Sequence, residues 1–124
     1  MRRLVLGALL LAAAPGARAE IFASPPTFQA GQTSIDCAIT NGGASAVTLS
    51  GAKVTAEVGP TFDLPLAGNT CPSKLQPGSY CHWQALLRTG GAHVCRITVS
   101  SRTNLRGRME IGAGNDTLVM EEMR

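Results

Sequence analysis

Cys71, Cys81, His82, His93 and Cys95 are residue types that hold soft metals, with Met109, Met120 and Met123 further along the chain. Thiolate and thioether donors joined by imidazole would suit copper(I). Their spacing does not gather them, since there is no CxxC and no HxxxH. In a strand, adjacent Cys81 and His82 point to opposite faces, while His93 and Cys95 share one. The plainer reading makes both histidines polar residues near strand edges and all four cysteines disulfide partners, for which three pairings exist. No cofactor is expected, and periplasmic copper binding through Cys, His and Met is the alternative.

The second concentration of chemistry is basic: Arg96, Arg102, Arg106 and Arg108. Guanidinium forks pair carboxylates in a planar, bidentate way. If the strands around 93–100 and 106–112 form a hairpin, these side chains make one outer stripe able to dock an acidic partner or a glycan. The competing role is a solvated face balanced by Glu110, Glu121 and Glu122, or edge protection. Catalytic frames are missing. There is no G-x-S-x-G elbow, no Gly-rich phosphate loop, and nothing to bring Asp36, Glu57 and Asp63 together as paired carboxylates. The chain is not expected to be an enzyme.

Positioning such groups falls to a small exported domain. Met1-Arg2-Arg3, the apolar run Leu4–Ala14 and Ala17-Arg18-Ala19 make a signal peptide over residues 1–19, cleaved between Ala19 and Glu20. The run is too short to span a membrane, which needs about 20 apolar residues. Residues 20–124 then form one domain. The 11 basic and 8 acidic residues of the whole chain become equal in number once Arg2, Arg3 and Arg18 leave. A nucleic-acid or anionic-membrane binder held by bulk charge is thereby disfavoured. The residue directly after the cleavage site is Glu20 and not cysteine, and no apolar tail ends the chain, so a soluble periplasmic or secreted product without a membrane anchor is expected.

Short alternating runs between turn residues set the fold. Ile35, Cys37 and Ile39 share a face, with Ser34, Asp36, Ala38 and Thr40 on the other. Asn41-Gly42-Gly43 reads as a turn in which Asn and Gly take positive φ. Val47 and Leu49 form a run to Gly51, and Val54, Ala56 and Val58 form another. Pro25-Pro26 restricts residues 21–29 to an edge strand or a kinked entry. Phe62–Leu75 reads as a long irregular connection. Cys81, Trp83, Ala85 and Leu87 oppose His82, Gln84, Leu86 and Arg88 on the next strand. His93, Cys95, Ile97 and Val99 alternate after it, then Met109 and Ile111, and 117–123 is open between strand and helical turn. Seven to eight short strands predict an all-β, immunoglobulin-like Greek-key sandwich. Cys37 and Cys95, inward on separate strands, suit a bridge between its sheets, worth about 4 kcal/mol by loop closure.

Residues 35–49, Ile-Asp-Cys-Ala-Ile-Thr-Asn-Gly-Gly-Ala-Ser-Ala-Val-Thr-Leu, resemble the strand–"N-x-G"–strand opening of Hydin-type (ASH-like) immunoglobulin-like domains. Asn69-Thr70-Cys71, followed by Leu75-Gln76-Pro77-Gly78-Ser79-Tyr80-Cys81, resembles the "NTC…L-x-PG-x-x-C" signature of their secreted bacterial versions. The match covers roughly residues 35–88. It implies a non-catalytic module with a structural or interaction role, and a Cys71–Cys81 disulfide worth about 2.8 kcal/mol. The expected function is therefore an exported β-sandwich that binds a protein partner of unknown identity. A small secreted inhibitor presenting the 62–75 segment is a third possibility.

Overall fold

The computed structural model describes residues 18–29, 33–57, 59–87, 91–113 and 116–123. Residues 1–17 of the leader expected over 1–19 lie outside them, as do Val58 and Arg88. The described chain is all-β, with two antiparallel sheets packed as a sandwich. Sheet I has the order β1(Glu20–Ala23)–β9(Gly91–Val99)–β4(Val47–Glu57)–β5(Thr61–Leu64). Here β2(Thr27–Gln29) also pairs with β9, and β7(Lys74–Leu75) with the start of β4. Sheet II has the order β11(Asp116–Met123)–β10(Leu105–Ala113)–β3(Ser34–Asn41)–β8(Tyr80–Leu86)–β6(Leu66–Asn69).

In an immunoglobulin-like sandwich, strands B, E and D lie on one sheet and C and F on the other. Here β3, β8 and β6 occupy the first set of places, and β4 and β9 the second. The ends differ from that plan. β1 stands beside β9, where the last strand would be, and the β10–β11 hairpin stands beside β3, where the first would be.

The inward residues follow the alternation: Ile35, Cys37 and Ile39 on β3, Cys81, Trp83 and Ala85 on β8, Cys95, Ile97 and Val99 on β9, all at most 1% exposed. Each large apolar side chain so buried contributes about 1.5–3 kcal/mol. Cys37–Cys95 crosses between the sheets, and Cys71–Cys81 ties the entry of β8 to the segment before it. Trp83, beside Cys37 in the β3–β8 register, sends its indole N–H across the core to the Lys53 carbonyl at 3.1 Å.

Three expectations are corrected. Phe62–Leu75 is not irregular: β5 joins sheet I, β6 joins sheet II and β7 returns to β4. Pro65 and Pro72 keep the pieces short by removing ladder donors. Residues 47–57 form a single strand, because Gly51 at φ 60° supplies a bulge between Ser50 and Lys53. That extra residue keeps Leu49 and Val54 on the same inward face. Asn41 has no positive φ. It is fully buried, its amide donating to Ser45 O (2.8 Å) and Leu75 O (3.0 Å) while Oδ1 accepts from Gly43 N–H (2.9 Å). Both amide hydrogens and the amide oxygen thus have partners, as burial of an amide requires. The expected edge role of Pro25-Pro26 agrees with the structure. Ser24 bridges β1 and β2, its hydroxyl accepting Cys95 N–H at 2.9 Å. Residues 116–123 are a strand.

Candidate interaction surface

β9 and β10 do not form a hairpin. β9 pairs with β1, β2 and β4 of sheet I and β10 with β3 and β11 of sheet II, so Ser100–Asn104 crosses between layers. Layers lie about 10 Å apart, and Asn104 at φ 62° makes the bend. The arginine stripe is therefore divided. Arg96 faces outward from sheet I and meets Glu57 at 3.3 Å. Arg96 is opposite Lys53, whereas Glu57 is opposite Ala92, so the pair closes only if the arginine stem lies along the sheet across the row of Val94 and Thr55. Those two residues are 3% and 2% exposed, as such a cover requires. Arg102, in the crossing, holds Glu20 at 2.9 Å. Arg106 and Arg108 face outward from sheet II.

The metal-type residues also separate. All four cysteines are in disulfides, so Cys81 and Cys95 offer no thiolate. His82 faces outward from sheet II, whereas His93 is fully buried on the inner side of sheet I. Its Nδ1–H donates to Gly91 O at 3.1 Å and its Nε2 has no described partner. Burial lowers its pKa below the ordinary 6.5, so the ring is neutral. Met109 and Met123 are core residues, and the side chain of Met120 lies outside the described part. Among the described residues no group of three or more His, Cys, Asp or Glu side chains could hold a metal ion.

What the pairing does bring together is the outer face of sheet II. β3 presents the short side chains Ser34, Asp36, Ala38 and Thr40, and its neighbours present long ones. On one side stand Tyr80, His82, Gln84 and Leu86 of β8. On the other stand Arg106, Arg108 and Glu110 of β10. The register fixes the rows: Arg106–Thr40–Tyr80, Arg108–Ala38–His82 and Glu110–Asp36–Gln84. A trough therefore runs along β3, and around Ala38 it deepens to a depression of about 190 Å³ lined by Asp36, Tyr80, His82, Arg108 and Glu110. Organic ligand pockets start at about 300 Å³, so this depression suits a side chain.

Its electrostatics are uneven. Arg108 pairs with Glu110 at 3.2 Å. Asp36, directly across from Glu110, has no described hydrogen bond or ion pair. Its pKa is raised above the ordinary 3.8, chiefly by burial and also by Glu110, against the opposing pull of His82. His82 is held at the rim by β6's outgoing residue: Thr70 Oγ1 accepts His82 N–H at 3.0 Å, and Thr70 N–H donates to His82 O at 2.8 Å. Tyr80 is 72% exposed and Leu86 52% exposed on the same face.

The alternation of β3 and β8 already separated these outward residues from the core. Their convergence was hidden because it depends on which strands pair, and the expectation placed Arg106 and Arg108 beside Arg96 instead. Comparison with protein-family models, curated proteins and solved structures returns no match for this chain. The site must be read from its own geometry. Two disulfides fit an oxidising, extracytoplasmic setting.

Proposed function

We propose that the domain is an exported, non-catalytic interaction module that takes a protein partner on the outer face of sheet II, in the periplasm or outside the cell. The observation that supports it is the convergence of Tyr80, His82, Arg108, Glu110 and Asp36 around a charged depression, flanked on the same face by Arg106 and Leu86, on a sheet pinned from behind by Cys37–Cys95. Tyrosine and arginine are the types that carry binding energy at protein interfaces. The likeness of residues 35–88 to secreted Hydin-type domains points the same way, towards a sandwich that binds and does not catalyse. Arg106, Arg108 and the separated Arg96 and Arg102 remain the cations to test.

A photoreactive residue in place of Tyr80, in the exported protein, should cross-link a partner from the source's extracytoplasmic fraction. Arg106→Glu with Arg108→Glu should abolish that capture and leave the melting temperature unlowered. Undiminished capture by the double variant would remove this face from the proposal.

A further inference from the structure

His93 is buried with its Nε2 lacking a described partner, but it faces no described cavity. The niche of about 170 Å³ beside Cys71 is lined by the Gly51 bulge and the 69–73 segment and carries no charged group. The trough of sheet II carries more, because its rows have opposite polarity at a fixed spacing.

Resting on the reading of sheet II as the partner surface, we infer that the trough seats an extended strand-like segment of the partner bearing one basic and one acidic side chain two residues apart. The basic side chain lies over Asp36 and Glu110, and the acidic one lies between Arg106, Arg108 and His82. Three observations lead there. First, the shape is that of a channel: a floor of short side chains on β3, with walls two strand spacings apart, about 9.5 Å. Second, the rows of β3 repeat every two residues, about 6.8 Å, which is also the repeat of same-side residues in an extended peptide. An extended guest thus meets the acidic row and the basic rows at successive same-side positions.

Third, the described side chains of the face leave charge unpaired. Glu110 is shared with Arg108, and neither Asp36 nor Arg106 makes a described ion pair. Like charges opposite one another on adjacent strands destabilise a sheet. A guest cation over Asp36 removes that repulsion, and a guest carboxylate between the arginines forms charge-assisted hydrogen bonds. A uniformly acidic or uniformly basic segment gains at one row and loses at the other, so the arrangement selects by charge order as well as by charge.

The test uses the mature exported chain and fluorescent eight-residue Thr/Val peptides with Lys-x-Glu, Glu-x-Lys, Glu-x-Glu, Lys-x-Lys or Gln-x-Gln at the centre, read by anisotropy at low ionic strength. Either mixed order should bind roughly fivefold or more tightly than Gln-x-Gln, with one order preferred. Asp36→Asn should erase most of that gain without lowering the melting temperature, and Arg106→Gln with Arg108→Gln should erase the remainder. Glu-x-Glu binding as tightly as the mixed peptides would overturn the charge-order inference. So would absence of peptide binding while cross-linking from position 80 still depends on Arg106 and Arg108, in which case the partner surface stands and its occupant is of another kind. Loss of both capture and peptide binding overturns both readings.

Discussion

The two outer faces of this sandwich carry similar numbers of charges and use them differently. On sheet I, Lys53 meets Asp63 at 3.4 Å, Arg96 meets Glu57 at 3.3 Å, and Thr55 adds a 3.0 Å hydrogen bond to Asp63. On sheet II, Arg108 and Glu110 pair, but Asp36 faces a like charge and Arg106 has no described ion pair. The first face pairs its charges on β4, β5 and β9 with one another, with exposed Lys74 of β7 outside those pairs. The other leaves charge unpaired among its described side chains, at a cost to stability, and that pairing is what the proposed partner segment would complete.

Both faces depend on the same interior, so removing the Cys37–Cys95 bridge should have the largest effect. Cys37→Ala with Cys95→Ala should lower unfolding free energy by about 4 kcal/mol, a large part of the 5–15 kcal/mol typical of domains. Cys71→Ala with Cys81→Ala should cost about 2.8 kcal/mol and act chiefly on sheet II, loosening β8 and with it Tyr80 and His82. Denaturant titration measures both losses. Hydrogen exchange should show protection lost on both sheets in the first variant and around β6 and β8 in the second.

The joint between the two sheets is tested next. Gly107 on β10 faces inward, and a Cβ there would collide with the Phe22 ring of β1 and stand 2.8 Å from Met123 Cβ. Phe22, 3% exposed, thus fills the space that glycine leaves, locking the edge of sheet I onto the β10–β11 hairpin. Gly107→Ala should destabilise by about 1–3 kcal/mol, the cost of overpacking, measurable as a lower denaturation midpoint with an unchanged slope.

How much of this was legible in the residues follows from how far each signal reaches. Alternation over residues 34–41 and 80–87 is local, long enough to count, and it separated core from surface correctly. The inward cysteines of β3 and β9 announced their bridge for the same reason. β5, β6 and β7 were not legible, because two- to four-residue strands carry no usable period and exist through their partners. Asn41 misled because its type favours turns, while its actual task is to satisfy buried carbonyls. The trough needed the pairing order of β10, β3 and β8, which no local pattern contains, and a five-residue connection after Val99 is compatible with a hairpin as well as with a change of layer.

Acid separates the two sheets further. His93 has a lowered pKa in the fold, so the unfolded chain binds its proton more readily. Its contribution is intact above the ordinary 6.5 and is lost as pH falls below it, by up to about 1.4 kcal/mol per pH unit. Stability measured between neutral pH and pH 5 should fall in the wild type. In His93→Leu that fall should be flattened, and a slope that persists would place the responsible group elsewhere.

The smallest effects discriminate best, because they differ in sign. Asp63→Asn on sheet I removes an ion pair with Lys53 and weakens the bond from Thr55. Both carboxylate and ammonium are about half exposed, so the loss is roughly 0.2–1 kcal/mol. Asp36→Asn on sheet II removes an unpaired carboxylate facing Glu110. Since the fold raises the pKa of Asp36, folding favours its protonated form; that advantage is present below the ordinary 3.8 and is lost as pH rises through the folded value. At neutral pH the ionised group therefore opposes folding, and its replacement should raise stability by a few tenths of a kcal/mol, roughly the scale of surface substitutions. The gain should vanish in acid, where both forms are neutral. A stabilised Asp36→Asn that no longer distinguishes the mixed-charge peptides from Gln-x-Gln would mark a residue kept for what it binds. A destabilised one would make Asp36 a structural group like Asp63, and the contrast between the two faces would disappear.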